Sequence, residues 1–258
     1  MPEGASDFHI LLLCEAELDA EVTSELADRV LRQHGAPWVA ESLESLRTWT
    51  GITEGNRFTR LQDFKHEASE HARLPKYIGH LRSGPKLPNA AAAAKAVGFA
   101  ELLVKRGRPI RAVVYQQDVD SDPRRKEGLR QAQDHAAETT EIAFIPAASD
   151  PKIEAWIVQG FDPEDKGEQE ALQAVERELA IQDIRREAHR LRGQAKRNQP
   201  ERDLKNVLPR LAGDSDDRRR ACWQRSDLET LRERGAHTGL TDYLDEVRDR
   251  LLPRLVEG

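Results

Sequence analysis

Cysteine is scarce in this chain of 258 residues: Cys14 and Cys222 are the two present. Two distant cysteines exclude a disulfide scaffold and a cysteine-based zinc ribbon. Long apolar runs are missing as well. No window approaches the roughly 18 apolar residues that a spanning helix needs, so an integral membrane protein is excluded and no membrane partner is expected. The opening residues MPEGASDF hold no cationic stretch followed by an apolar segment, so no signal peptide is expected and the expected compartment is the cytoplasm. No Gly-rich phosphate loop follows the first apolar run, and no P-loop occurs anywhere, so the chain is not expected to hydrolyse ATP. The eight histidines show no pair spacing that suggests zinc. Aromatic residues make up 5% and charged residues 33%; with 40 Lys+Arg against 46 Asp+Glu the net charge is −6. That balance does not exclude nucleic acid, because local patches decide such binding.

What is present is a set of short apolar runs that end in acid. Phe8-His-Ile-Leu-Leu-Leu-Cys14 is too short for a buried helix and reads as a buried, parallel strand. Glu15-Ala-Glu-Leu-Asp19 follows, and Val22, Leu26, Val30 and Leu31 then recur at helical spacing up to Gly35. Residues 36–87 are harder to read: Trp38–Leu46 fits a strand or a helix, 48–64 reads as irregular, and 67–81 as a helix interrupted by Pro75. Gly84-Pro-Lys86-Leu-Pro88 is a loop, after which Asn89 is expected to cap a helix over 90–106.

A second β-branched run, Ile110–Tyr115, leads into Gln-Gln-Asp118-Val-Asp120-Ser-Asp122-Pro123. A polar helix over 124–137 follows, then a strand over 139–145. Pro151 is expected at the first position of a helix that carries Glu154 and Trp156. This alternation argues for an open parallel sheet with crossover helices. From 163 onward no strand is evident and helical intervals of Leu and Val recur, which suggests about four helices. The expected division is an α/β domain over 1–161 and a helical region over 162–258.

Two strands therefore end in carboxylates, Glu15 after the first and Asp118 with Asp120 after the second. In open α/β sheets ligands bind beyond the carboxyl ends of the strands. Clustered carboxylates repel unless a cation lies between them, and Mg²⁺ suits hard oxygen ligands. Each acid also has a plainer reading. Asp is favoured in turns, Asp122 fits the cap of the next helix, and Glu17 and Asp19 suit a helix amino end.

Glu at one strand end with Asp-x-Asp at another resembles the Toprim domain of topoisomerases, primases and OLD nucleases. The match is carried by Ile10-Leu-Leu-Leu-Cys-Glu15 and Val113-Val-Tyr-Gln-Gln-Asp118-Val-Asp120. More narrowly, Gly84-Pro-Lys86-Leu, Lys152-Ile-Glu154-Ala-Trp156 and the helical tail resemble small Toprim-like proteins found beside ATPase genes in bacterial defence loci. The resemblance implies a Toprim-like parallel sheet of about four strands flanked by helices, with an all-helical C-terminal region. It implies a nuclease that cuts phosphodiesters with Mg²⁺ or Mn²⁺, acting on nucleic acid, DNA ahead of RNA, beside an ATPase partner in antiviral defence. Asp118 and Asp120 would hold metal, Glu15 would hold metal or move a proton, Glu154 would join the cluster, and Lys86 would meet phosphate. One departure is Ala16, where the family usually has Gly; Ala serves there only if φ is negative.

Two alternatives accompany this reading. One is a non-catalytic Toprim-like subunit that regulates an ATPase complex. The other is a transferase using Asp-x-Asp on a nucleotide diphosphate, which the missing Gly-rich loop counts against. The basic stretch 185–197, with six Lys/Arg against one Glu, is a candidate phosphate contact or a solvated face.

Overall fold

The structure is a computed structural model that describes residues 8–70, 80–81, 84–120, 122–194 and 198–257. The first half of the chain contains β1 (His9–Cys14), α1 (Glu17–His34), α2 (Pro37–Leu46), β2 (Thr48–Thr50), β3 (Thr59–Arg60) and α3 (Leu61–Glu70). It continues through β4 (His80–Leu81), β5 (Gly84–Pro85), α4 (Ala90–Lys105), β6 (Ile110–Asp118), α5 (Arg124–Thr139) and β7 (Ala143–Ser149). Then come α6 (Ile153–Gln159), α7 (Lys166–Leu179), β8 (Arg192–Gln194), β9 (Asn198–Asp203), α8 (Leu204–Ala212) and α9 (Asp216–Gln224). The chain ends in α10 (Leu228–Gly235), α11 (Leu240–Glu246), a π turn over Val247–Leu251 and α12 (Leu252–Glu257). The fold is α/β, with a mostly parallel five-stranded sheet flanked by helices and a helical C-terminal region.

By packing, the chain forms two compact units. One comprises 1–117, 122–147 and 243–258, the other 118–121 and 148–242. The boundary expected at 161/162 lies where recognisable strands stop in the sequence. The units by contrast follow packing, which gathers segments distant in sequence.

The first unit is organised by β1. Ile10 through Cys14 are fully buried, as a strand covered on both faces requires. Burying each such aliphatic side chain is worth about 1.5–3 kcal/mol before chain entropy is counted. The strand order is β2-β1-β6-β7, with β3 pairing β1 further along. β1 runs parallel to β2, β3 and β6, with Leu11 opposite Thr50, Cys14 opposite Arg60 and Leu13 opposite Tyr115. Val22, Leu26, Val30 and Leu31 of α1 form the expected buried stripe. Beside it, Asp28 accepts from Arg47 and from the Trp49 indole, so this buried carboxylate is fully paired.

Of the two readings open for Trp38–Leu46 the helix is the one present, with Pro37 in its first turn, where a missing N–H costs nothing. Other expectations for this half need correction. Residues 48–64 are not irregular throughout: they hold β2, β3 and the start of α3. The helix expected over 67–81 begins at Leu61, and positions 71–79, including Pro75, lie outside the described residues. Asn89 stands before α4, but its side chain makes no cap. Its contribution is a left-handed backbone, φ 65, which Asn tolerates better than most residues.

The second unit is built around α6. Trp156 is fully buried, and its indole N–H donates to the Thr238 carbonyl at 2.9 Å. The Thr238 hydroxyl donates to Gln159 Oε1, and Gln159 Nε2 donates to the Arg234 carbonyl. Gly160 allows the backbone of Cys222 to approach: a Cβ there would lie 1.9 Å from the Cys222 carbonyl oxygen. Pro151 does not open α6. It follows a cis peptide bond after Asp150, and the helix starts at Ile153 with Lys152 as its N-cap. The C-terminal region is helical but not all-helical, because β8 and β9 form an antiparallel pair. Both strands are polar, so no alternation of apolar residues announces them.

Candidate functional site

At the end of β1, Glu15 is exposed, and the backbone then enters α1 through Ala16. Ala16 has φ −145 and ψ 175, extended values open to any residue. The glycine usual in the resembled family is therefore not needed at this turn. The Ala16 N–H donates to Asp19 Oδ2 at 2.9 Å, so Asp19 closes the amino end of the helix.

β3 brings Arg60 opposite Cys14, and the Arg60 side chain is exposed at this edge. Burial, with the charges of Asp19 and Glu15, pushes the Cys14 thiol above its ordinary range, while Arg60 acts in the opposite sense. Burial and Glu15 likewise push the Tyr115 phenol up. Glu15 and Arg60 thus share one electrostatic neighbourhood around the last residues of β1. Arg60 escaped the sequence reading because a two-residue strand has no periodicity to detect.

The end of β6 is held much more firmly. Asp118 Oδ1 accepts from the Ser149 hydroxyl at 2.7 Å and from the Ile153 N–H at 3.0 Å. The Val119 N–H donates to the Ser149 carbonyl at 2.8 Å, and the Asp120 N–H to the Pro151 carbonyl at 2.9 Å. Asp120 has a left-handed backbone, φ 53. Its carbonyl accepts from Arg192 Nη1 at 2.7 Å, and Arg192 Nη2 also donates to Asp150 Oδ1. Asp122 is not the N-cap of α5, a position Pro123 occupies, but it accepts from the Arg124 N–H, and the Arg124 guanidinium beside it lowers its pKa.

Glu154 lies in the first turn of α6 and is buried. Lys152 pairs with the buried Asp203 at 3.6 Å. Lys86 is exposed on its loop, which Gln131 holds from both sides: the Leu87 N–H donates to Gln131 Oε1, and Gln131 Nε2 donates to the Pro85 carbonyl. Gly128 makes that approach possible, since a Cβ there would lie 1.8 Å from the Pro88 carbonyl oxygen.

In kind, the donors suit Mg²⁺, which takes one or two carboxylates and keeps several waters. Asp118 and Asp120 supply two hard carboxylates from one loop of one unit. Among the described residues, however, no group of three or more His, Cys, Asp or Glu side chains is arranged to hold a metal ion.

The basic stretch is largely engaged with acid. Arg185 pairs with Asp162 and Asp183, Arg186 with Asp183 and Glu233, Arg190 with Glu187, and Arg192 with Asp150. Residues 195–197 lie outside the described residues. Cys222 is buried beside Arg218, and burial pushes its thiol up to about 11. A cavity of about 530 Å³, lined by Glu101, Lys105, Ile110, Arg111 and Glu138 among others, opens at the amino end of β6, away from its acidic end.

No family model, curated protein or solved structure matches the chain. Among the described residues no helix is long and apolar enough to cross a membrane.

Proposed function

We propose that this chain is a Toprim-like nuclease subunit that hydrolyses nucleic-acid phosphodiesters with Mg²⁺, DNA ahead of RNA. The observation that carries the reading is the parallel β1–β6 ladder: β1 ends at Cys14, directly before Glu15, and β6 ends at Asp118. Asp118 and Asp120 would hold the ion, with Glu154 as a further acid. Bound there, Mg²⁺ would neutralise charge on the phosphate. Hydrolysis adds water across a P–O bond, and Glu15 would take a proton from that water or pass one to the leaving oxygen. Lys86, on its exposed loop, would meet phosphate. The ATPase partner and the role in antiviral defence rest on the family resemblance alone.

A second reading, a non-catalytic subunit that regulates an ATPase complex, is favoured by one observation. Asp118 already serves as an acceptor for Ser149 and Ile153, and no three-acid group surrounds it among the described residues.

The test is incubation of the purified chain with supercoiled plasmid, linear DNA and structured RNA in Mg²⁺, Mn²⁺ or EDTA. Cutting that needs metal and disappears in Glu15→Gln and Asp118→Ala supports the nuclease. Calorimetric Mn²⁺ titration then separates the readings: a chain that neither cuts nor binds Mn²⁺ has no metal site at these carboxylates, which overturns the nuclease and favours the regulatory subunit.

A further inference from the structure

We propose that Arg192 is a positioning residue for the acidic loop after β6, setting the direction in which Asp120 presents its carboxylate. The inference rests on the reading that Asp120 is a metal ligand, and it assigns Arg192 a role other than phosphate contact.

The argument starts from the Asp120 backbone. A left-handed φ of 53 is sparsely populated by residues with a Cβ, Asp among the more tolerant, and here neighbours hold it. Two contacts do so. The Asp120 N–H donates to the Pro151 carbonyl at 2.9 Å, and Arg192 donates to the Asp120 carbonyl at 2.7 Å. One contact thus fixes each side of the residue, and the direction of Cβ follows from the two peptide planes.

Arg192 is itself aimed. Its second terminal nitrogen donates to Asp150, the residue before the cis Pro151 whose carbonyl holds Asp120. The planar guanidinium therefore ties the two halves of the loop's support together, which a lysine ammonium, a point donor, does less well. The backbone of Arg192 is fixed by the β8–β9 pair, with Arg192 opposite Asp203. That pair closes tightly at Gly193, where a Cβ would lie 2.1 Å from the Gln199 carbonyl oxygen. Asp203 in turn accepts from the Lys205 N–H at the start of α8 and pairs with Lys152. All of these residues belong to the second unit.

The test is Mn²⁺ titration by calorimetry on the full chain, for wild type, Arg192→Gln, Arg192→Lys and Asp150→Asn, with thermal melting of each. Loss of a partner that orients a metal ligand weakens binding about 10- to 100-fold, and about 10-fold is expected for Arg192→Gln. Arg192→Lys should recover part of that loss, and Asp150→Asn should show a smaller loss at an unchanged melting temperature. Wild-type affinity in Arg192→Gln overturns the inference. Should Arg192→Gln fail to fold, wild-type affinity in both other variants overturns it instead. A wild type that binds no Mn²⁺ overturns the metal reading, and this inference with it. A wild type that binds while the variants bind equally well overturns this inference alone.

Discussion

β1 and β6 are neighbours in one parallel ladder, and acid stands at or just beyond the end of each, but they finish differently. β1 stops at Cys14, and Glu15 is exposed before an extended Ala16. β6 runs on to Asp118, whose carboxylate accepts from Ser149 and Ile153, and Asp120 is held through its own N–H and carbonyl. The carboxylate of Asp118 is part of what joins its strand end to α6. Removing Asp118 therefore changes folding as well as any chemistry. Removing the charge of Glu15 changes the chemistry of an exposed side chain. The two residues resemble each other in sequence context and differ in what their loss would mean.

The largest effect that tests this contrast is Asp118→Ala. It leaves a buried hydroxyl and the Ile153 N–H without their acceptor, which costs about 2–4 kcal/mol for two bonds to a carboxylate. Urea denaturation should show the loss as a lower midpoint. Asp118→Asn keeps an acceptor and should lose less. If Asp118→Ala unfolds at the wild-type midpoint, the structural half of the contrast is wrong.

Ser149→Ala comes next. The Ser149 side chain is fully buried and its hydroxyl donates to Asp118. Its removal should cost about 1–2 kcal/mol, less than Asp118→Ala because the Ile153 N–H keeps its partner. A loss as large as that of Asp118→Ala would mean that Ser149 carries the junction by itself.

How much of this contrast the sequence discloses depends on the element. Ile10–Cys14 and Ala112–Tyr115 are legible as strands because a stretch of strand buried on both faces has to be apolar. The acids that follow them are legible by position. The support of Asp120 is not. Arg192 lies on a polar strand with no alternation, and its partners Asp120 and Asp150 are distant in sequence. The same local blindness hid Arg60 on β3 and let Pro151 pass for a helix start, since a cis bond leaves no mark in composition. Likewise, nothing local shows that 118–121 pack with 148–242 rather than with the strand that precedes them.

Ala16→Gly sharpens the contrast at the other strand end. The Toprim pattern that the sequence resembles has glycine at this position, so introducing it would raise activity if the turn needed a positive φ. The turn has φ −145, so it does not need glycine, and at this N-cap position the better capping by glycine offsets the freedom it adds to the unfolded chain. The expected result is a change in stability of about 0.5 kcal/mol or less with no gain in cutting. A gain would mean that the working turn differs from the one described.

Glu15→Gln has the smallest expected effect on stability and is for that reason the most informative. The side chain is exposed, and exposed substitutions away from packed features usually stay within about 0.5 kcal/mol. The amide matches the carboxylate in size and removes its charge. Under the proposed function, cutting should vanish while the denaturation midpoint stays put, whereas Asp118→Ala should lose both. Equal destabilisation of the two variants would erase the distinction between the strand ends. Loss of activity with unchanged stability at Glu15 alone would place the chemistry at the end of β1, because Ala16 and Asp19, not Glu15, carry the entry into α1.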